Sequence, residues 1–292
     1  MPFILKKFKT IHGQKVQHFL QNEVKLSVSM SQKLLAKGRV FDENNKKLQC
    51  GEALKCKYLN VALFEGHTRG LNPLFTTKDF AIFDKPSGIM VHPISRDTQY
   101  TLLDEIRYHF GEKANLAHRI DLETSGLVLV TRNRYADTEL KTMFENKEYV
   151  KRYLALVKGK ISEEIKIDTP IMKDGGMIGV KMKVNENGKE SITLIKPLEY
   201  DEVKNQTLVQ ATTLTGRQHQ IRVHLDSIEH TIVGDPIYGV DEIIADKYLT
   251  KELSAEDRLK YIGHDRLMLH ALYLEFNYEG LTYKMSSHQH FI

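Results

Sequence analysis

The sequence predicts an α+β protein: a mixed, mostly antiparallel central sheet with flanking helices, plus a small N-terminal α/β module. Three observations lead there. Strand-like runs outnumber amphipathic helical stretches and do not alternate with them regularly, which disfavours a doubly wound parallel sheet. The chain closes on a hairpin pattern, Leu272 to Met285, turning at Glu279-Gly280. Its charge divides: residues 1–60 hold 12 Lys and Arg against 4 Asp and Glu, a net of +8, whereas the rest is mildly acidic. That division predicts a basic module at 1–66, a linker at 67–77 and a main domain at 78–292.

Within the module, Val16 to Leu20 starts a short helix and Val28 to Lys37 a second, with Ser29 or Ser31 as N-cap and Gly38 as the stop. Arg39 to Phe41 reads as a strand, Asp42 to Asn45 as a turn, and Gly51 to Cys56 as a turn entering another strand. Two short helices and a basic hairpin predict little core of the module's own. In the main domain, Phe80 to Lys85 reads as a strand ended by Pro86-Ser87-Gly88, with a second short strand after it. Thr101 to Phe110 and Tyr135 to Phe144 read as amphipathic helices. Leu127 to Val130, Tyr149 to Val157, Ile192 to Ile195 and Leu208 to Leu214 read as strands, and His219 to Ile228 as a helix. Residues 241–265 are charge-rich with helical spacing and read as a surface insertion without a role.

Hydrophobic content of 41% with 27% charged residues, and no apolar run long enough for a span, exclude a membrane protein as the expected class. The first residues have no apolar core or cleavage pattern of a signal peptide, and Cys50 and Cys56 form no disulfide or zinc framework, so a cytoplasmic location is expected. There is no P-loop, no dinucleotide glycine fingerprint and no serine elbow. His219 and His224 stand five apart, unlike the four-residue spacing of a helical zinc pair. The chemistry is therefore expected to use no cofactor and no metal.

Four segments carry what chemistry there is. His118-Arg119-Ile120-Asp121-Leu122-Glu123-Thr124-Ser125-Gly126 places an acid beside a cation on a loop that opens a strand. An aspartate oriented by guanidinium stays charged, as a nucleophile or base must. Asp84-Lys85-Pro86-Ser87-Gly88 is a turn whose Lys85 could neutralise phosphate. Lys151-Arg152-Tyr153-Leu154-Ala155 puts Lys151 and Tyr153 on one strand face, where the tyrosine could stack on a base and move a proton. Thr215-Gly216-Arg217-Gln218-His219-Gln220-Ile221-Arg222-Val223-His224 opens a helix and sets Arg222 where it could reach a loop carboxylate.

In order, these segments resemble the RluA/RluD-type family of RNA pseudouridine synthases over about residues 78 to 285. Gly234-Asp235-Pro236-Ile237-Tyr238-Gly239 and Arg266-Leu267-Met268-Leu269-His270-Ala271 also fit; Ile120 stands where leucine is usual. The N-terminal segment resembles a small RNA-binding module of a ribosomal small-subunit protein (S-four-like), except for its acidic Asp42-Glu43-Asn44-Asn45 turn. The resemblance implies Asp121 as catalytic aspartate, Tyr153 as active-site tyrosine and Arg222 as the aspartate's partner, with Arg119 beside a flipped nucleotide. It implies cleavage of a uridine glycosidic bond, rotation of the uracil, and rejoining through carbon 5. RNA contacts are expected at His118, Arg119, Lys85, Arg217 and His219, and at Lys33, Lys37 and Arg39 of the module. Large-subunit ribosomal RNA is the leading substrate expectation and transfer RNA the second, acted on by a monomer. The rival class is a non-catalytic RNA-binding or ribosome-assembly factor on the same scaffold, and a metal-dependent hydrolase is a third reading.

Overall fold

A computed structural model describes residues 3–94 and 98–291. The described residues divide into two compact units. One holds the chain up to Thr68 and the segment around a later helix, and the other holds Arg69–His92 and everything from Lys113 onward.

The first unit carries β1 (Phe3–Lys9), α1 (Val16–Asn22), α2 (Val28–Ala36), β2 (Val40–Asp42), β3 (Tyr58–Phe64) and α3 (Leu102–Phe110). Its sheet runs β1-β3-β2, all antiparallel. Ser27 caps α2, its Oγ accepting from the Met30 N–H at 3.2 Å, so the cap precedes both serines expected for that role. Asp42 closes its turn by accepting from the N–H groups of Asn44 and Lys46. The unit has a core after all: Val16, Phe19, Leu20, Val40, Leu54, Leu59 and Val61 are all 1% exposed or less. The first element expected in this module was the helix at Val16, and β1 precedes it. That strand's own pattern is mostly exposed and lysine-rich, so nothing in it alternates cleanly. Helix α3, expected in the second domain, groups with this unit. A capping box starts it, in which Asp104 accepts from Thr101.

The second unit is built on one ten-stranded sheet. Along the chain lie β4 (Phe75–Thr76), β5 (Phe80–Lys85), β6 (Asn115–Leu116), β7 (Ser125–Thr131), α4 (Arg134–Glu145), β8 (Tyr149–Lys158), β9 (Ile165–Asp168), β10 (Ile171–Lys173), β11 (Met182–Val184), β12 (Ile192–Asp201), β13 (Gln206–Thr213), α5 (Gln220–Ser227), α6 (Glu242–Leu249), α7 (Ala255–Ile262), β14 (Leu269–Tyr278) and β15 (Leu281–Ser286). The sheet order is β4-β5-β7-β14-β8-β13-β12-β9, with β6 on β7 and β15 on β14. Its pairs are antiparallel except β14 with β7, which agrees with the α+β expectation. Strands β10 and β11 form a separate hairpin. The second strand expected after Gly88 is absent: residues 89–92 form no ladder.

One row of the sheet positions the site. Gly126 of β7, Ala271 of β14, Tyr153 of β8 and Ala211 of β13 are successive partners. Two alanines thus flank one large ring, with a glycine on the strand beyond. Two strand spacings, roughly 10 Å, separate the loop leading into β7 from that tyrosine. The close β7–β14 approach depends on Gly126, whose φ is +106° and whose added Cβ would lie 2.3 Å from the Ala271 carbonyl oxygen. Gly126→Ala is therefore expected to destabilise the chain by at least about 2–4 kcal/mol. A lower midpoint in urea unfolding, with the slope unchanged, checks this.

Candidate active site

Asp121 sits on a loop stitched to the turn after β5. Lys85 Nζ donates to the carbonyls of Leu122 and Pro86, both at 3.0 Å. The Gly88 N–H also donates to Leu122 O (3.1 Å), and Ser87 Oγ donates to Glu123 O (2.7 Å). The Lys-Pro-x-Gly turn therefore holds the loop's backbone immediately after Asp121. This corrects the expectation of Lys85 at the RNA surface. Its side chain is wholly buried, and burial pulls its pKa down to about 7, with Asp121 and Glu123 opposing.

Before Asp121, His118 anchors the loop to β7. Its Nε2 accepts from the Leu129 N–H at 3.0 Å, so a neutral ring carries its proton on Nδ1. That Nδ1 lies 3.0 Å from Lys151 Nζ, a contact that becomes a hydrogen bond when the amine has lost its proton and can accept. Burial lowers Lys151 to about 7, and burial with the Lys151 charge keeps His118 well below the usual histidine value. His118 is thus a loop support, not the RNA contact expected of it.

Arg222 projects from α5. The helix starts where Gln220, 4% exposed, locks the Thr215-Gly216-Arg217 turn. Its Oε1 accepts from Thr215 Oγ1 and the Arg217 N–H, and its Nε2 donates to Ile192 O and Thr193 Oγ1. Arg222 Nη1 donates to Asp121 Oδ2 at 3.1 Å. Its Nε and Nη2 donate to the two oxygens of Asp235 at 2.7 and 2.8 Å. Asp235 Oδ1 accepts further from the N–H groups of Ile237 and Tyr238. Burial would lower the Arg222 pKa, but Asp235 first and then Asp121 reverse that and raise it, so the guanidinium is permanently charged. The Asp121 side chain keeps 29% of its surface exposed, while those of Arg222 and Asp235 keep 5% and none.

His219, the residue before α5, takes a left-handed φ of 54°. Its Nδ1 lies 3.0 Å from Tyr238 Oη, which also accepts from the Met182 N–H. With the tyrosine donating to Nδ1, the ring proton sits on Nε2, 3.8 Å from Asp121 Oδ2. Burial and the Arg222 charge push His219 down to about 4, with Asp121 and Asp235 only partly offsetting them. It is a neutral ring beside the Asp121 carboxylate.

Tyr153 is half-buried, and burial, then Tyr149 and Asp121, raise its pKa, so it keeps its proton. Arg119 is exposed. Arg217 is half-buried, with its Nε on Glu190 O at 3.1 Å. In the first unit Lys33 and Lys37 are exposed, and the Arg39 guanidinium stacks 3.8 Å from the Phe3 ring. The structure thus brings Asp121 and Arg222 into contact, with Tyr153 close enough to feel the aspartate's charge. Sequence reasoning quoted Asp235, Tyr238, Glu123 and Lys151 inside motifs but gave them no role. The signal was an acid between Gly234 and Pro236, in a turn where a fixed carboxylate is expected to serve a partner. Among the described residues, no group of three or more His, Cys, Asp or Glu is arranged to hold a metal ion. Nor is any helix among them long and apolar enough to cross a membrane.

Comparison with known proteins places this geometry. Residues 79–227 match the family described as RNA pseudouridylate synthase. An uncharacterized RNA pseudouridine synthase of Helicobacter pylori (strain ATCC 700392 / 26695) is 37% identical, over 98% of this chain and 94% of its own. The ribosomal large subunit pseudouridine synthase C of Vibrio parahaemolyticus is 31% identical over 91% of this chain and 85% of its own. Among solved structures, human RNA Pseudouridylate Synthase Domain Containing 1 superposes with a TM-score of 0.62 at 25% identity, covering 78% of this chain and 86% of that one.

The neutral His219 makes stability pH-dependent. Between pH 6.5 and 4 the unfolded chain binds a proton that the folded chain refuses. Stability is therefore full above about 6.5 and declines as pH falls toward 4, by up to about 3 kcal/mol from this group. Urea unfolding of His219→Asn, which tolerates the left-handed φ, is expected to show a shallower decline over that range than wild type.

Proposed function

The chain belongs to the RluA/RluD-type RNA pseudouridylate synthase family, and from that premise we propose that it isomerises uridines of large-subunit ribosomal RNA with Asp121 as the catalytic carboxylate. The reaction class is that of an isomerase acting on RNA. A uridine's glycosidic bond is cleaved, the uracil turns, ring carbon 5 rejoins the ribose and loses its proton, and N1 gains one. Mass and the number of bonds are unchanged, which agrees with a chain lacking nucleotide-binding motifs.

One observation carries the reading. Asp121 is a partly exposed carboxylate of which one oxygen, Oδ2, is held by a guanidinium that is itself fixed by a second, buried acid. Its Oδ1 has no hydrogen-bond partner among the described residues. An ionised oxygen aimed outward from a rigid support is what a nucleophile or proton acceptor at the nucleoside needs. Arg222 holds the carboxylate in place. Tyr153, protonated throughout the physiological range, offers a ring to stack on the uracil and a hydroxyl to donate.

A uridine in folded RNA must leave its stack to reach such a site, at a cost of a few kcal/mol. Arg119, planar and exposed two residues before Asp121, is suited to fill the gap. The basic first unit, with Lys33 and Lys37 outward, would add sequence-independent affinity for the phosphate backbone in the manner of an S-four-like module. The names of the Vibrio relative and of the Escherichia coli (strain K12) ribosomal large subunit pseudouridine synthase D, 30% identical over 72% of this chain, favour ribosomal over transfer RNA.

Asp121→Asn is expected to abolish pseudouridine formation while leaving RNA affinity within a few-fold and still salt-sensitive. Mapping pseudouridines in RNA from cells carrying wild type, the variant or neither protein checks it. Sites missing from large-subunit ribosomal RNA support the assignment, sites missing only from transfer RNA move the substrate, and activity in the variant removes Asp121 from its role.

A further inference from the structure

The segment between Gly239 and Arg266, read from sequence as a solvated excursion, sends two polar side chains inward. Both converge on Glu123, two residues beyond Asp121 and 7% exposed. Arg258 of α7 grips it in a fork, Nη1 to Oε1 at 2.6 Å and Nη2 to Oε2 at 2.5 Å. Tyr248 of α6 donates its hydroxyl to Oε1, and the Leu267 N–H donates to Oε2 at 2.9 Å. Each carboxylate oxygen thus accepts two bonds, which saturates the group. Burial and the Glu123 charge raise the Tyr248 pKa, so its hydroxyl stays a donor.

The same guanidinium reaches further. Arg258 Nε donates to His264 O at 3.2 Å, and Nη2 also approaches Gly234 O at 3.4 Å. Gly234 precedes Asp235, the acid that fixes Arg222. Its φ of +77° and a would-be Cβ 1.9 Å from Arg266 O leave that turn no freedom to drift. A closed circuit results: Asp121 to Glu123 along the chain, Glu123 to Arg258, Arg258 to the Gly234-Asp235 turn, Asp235 to Arg222, and Arg222 back to Asp121.

We propose that Arg258 is a positioning residue for the isomerisation, and that the α6–α7 excursion, with Tyr248 assisting, sets the distance between the Asp121 loop and the Asp235–Arg222 pair. Arg258 meets neither substrate nor Asp121; it acts through Glu123 on one side and Gly234 on the other. A lysine in its place would keep the charge but could not span both, because a fork of five donors is replaced by a point charge. The inference rests on Asp121 being the catalytic carboxylate.

The test is single-turnover pseudouridine formation, with RNA affinity measured in parallel. The probe is an RNA transcript that wild type modifies, large-subunit ribosomal RNA in the first instance. Arg258→Lys is expected to lower the rate about tenfold with the dissociation constant for RNA within twofold, a split that general loss of folded protein does not produce. Because Arg258→Ala would strand a buried carboxylate at a cost to folding, the neutral pair Glu123→Gln/Arg258→Met serves as the second variant, and it too is expected to lose at least tenfold in rate. In a folded Arg258→Ala, millimolar guanidinium ion is expected to restore part of the rate and ammonium ion not. Wild-type rates in both Arg258→Lys and the neutral pair overturn the inference while leaving Asp121 in its role. Wild-type rates in Asp121→Asn overturn the role of Asp121 instead.

Discussion

A single guanidinium, that of Arg222, stands between two carboxylates, and the rest of the site is arranged so that it cannot turn away from either. Removing an arginine from water is expensive, and one buried acid alone seldom offsets the loss. Here the offset comes from geometry: a planar fork meets both oxygens of Asp235, and that acid is itself satisfied by two backbone N–H groups. Only the remaining Nη1 is directed at Asp121. The pair inside is structural, and the pair toward solvent is the one proposed to do the chemistry. Neutralising the inner acid would leave Arg222 attracted to Asp121 but no longer oriented.

Preorganisation of this kind needs a rigid frame, and the sheet supplies it. The Asp121 loop is tied after the aspartate to the Lys85–Gly88 turn and before it, through His118, to β7. Arg222 is placed by a helix whose first turn is locked by Gln220 to β12. Tyr153 lies on β8, joined to β7 across a row in which glycine and alanine leave room for one ring. Two of the polar groups around the carboxylate, Lys85 and His219, have pKa values lowered by burial. Burial thus reduces the positive charge these groups bring to the site, whereas Arg222 stays fully charged beside Asp121.

The parts of this site legible in the sequence are those that lie within short words. Asp121 beside Arg119, and Arg222 one turn into a helix, were marked by residue type and local spacing. The long strands and amphipathic helices were legible for the same reason: their period is written in consecutive residues. What was hidden depends on contacts between distant segments. Asp235 is 13 residues from Arg222, and Arg258 is 135 residues from Glu123, so neither pairing leaves a local trace. Lys85 illustrates the converse. A lysine at a turn suggests a phosphate contact, and only the fold shows its ammonium spent on two carbonyls. Short strands such as β10 and β11, and the lysine-rich β1, are held by pairing partners and not by their own hydrophobic period.

Asp235, out of solvent, holds Arg222 to Asp121. Asp235→Asn keeps the side chain's shape and removes its charge, so single-turnover pseudouridine formation in that variant is the most direct measurement. The rate is expected to fall about 10²-fold with RNA affinity unchanged, the loss that a displaced catalytic group produces. A folded variant that forms pseudouridine at the wild-type rate would contradict the claim that the buried acid governs the site.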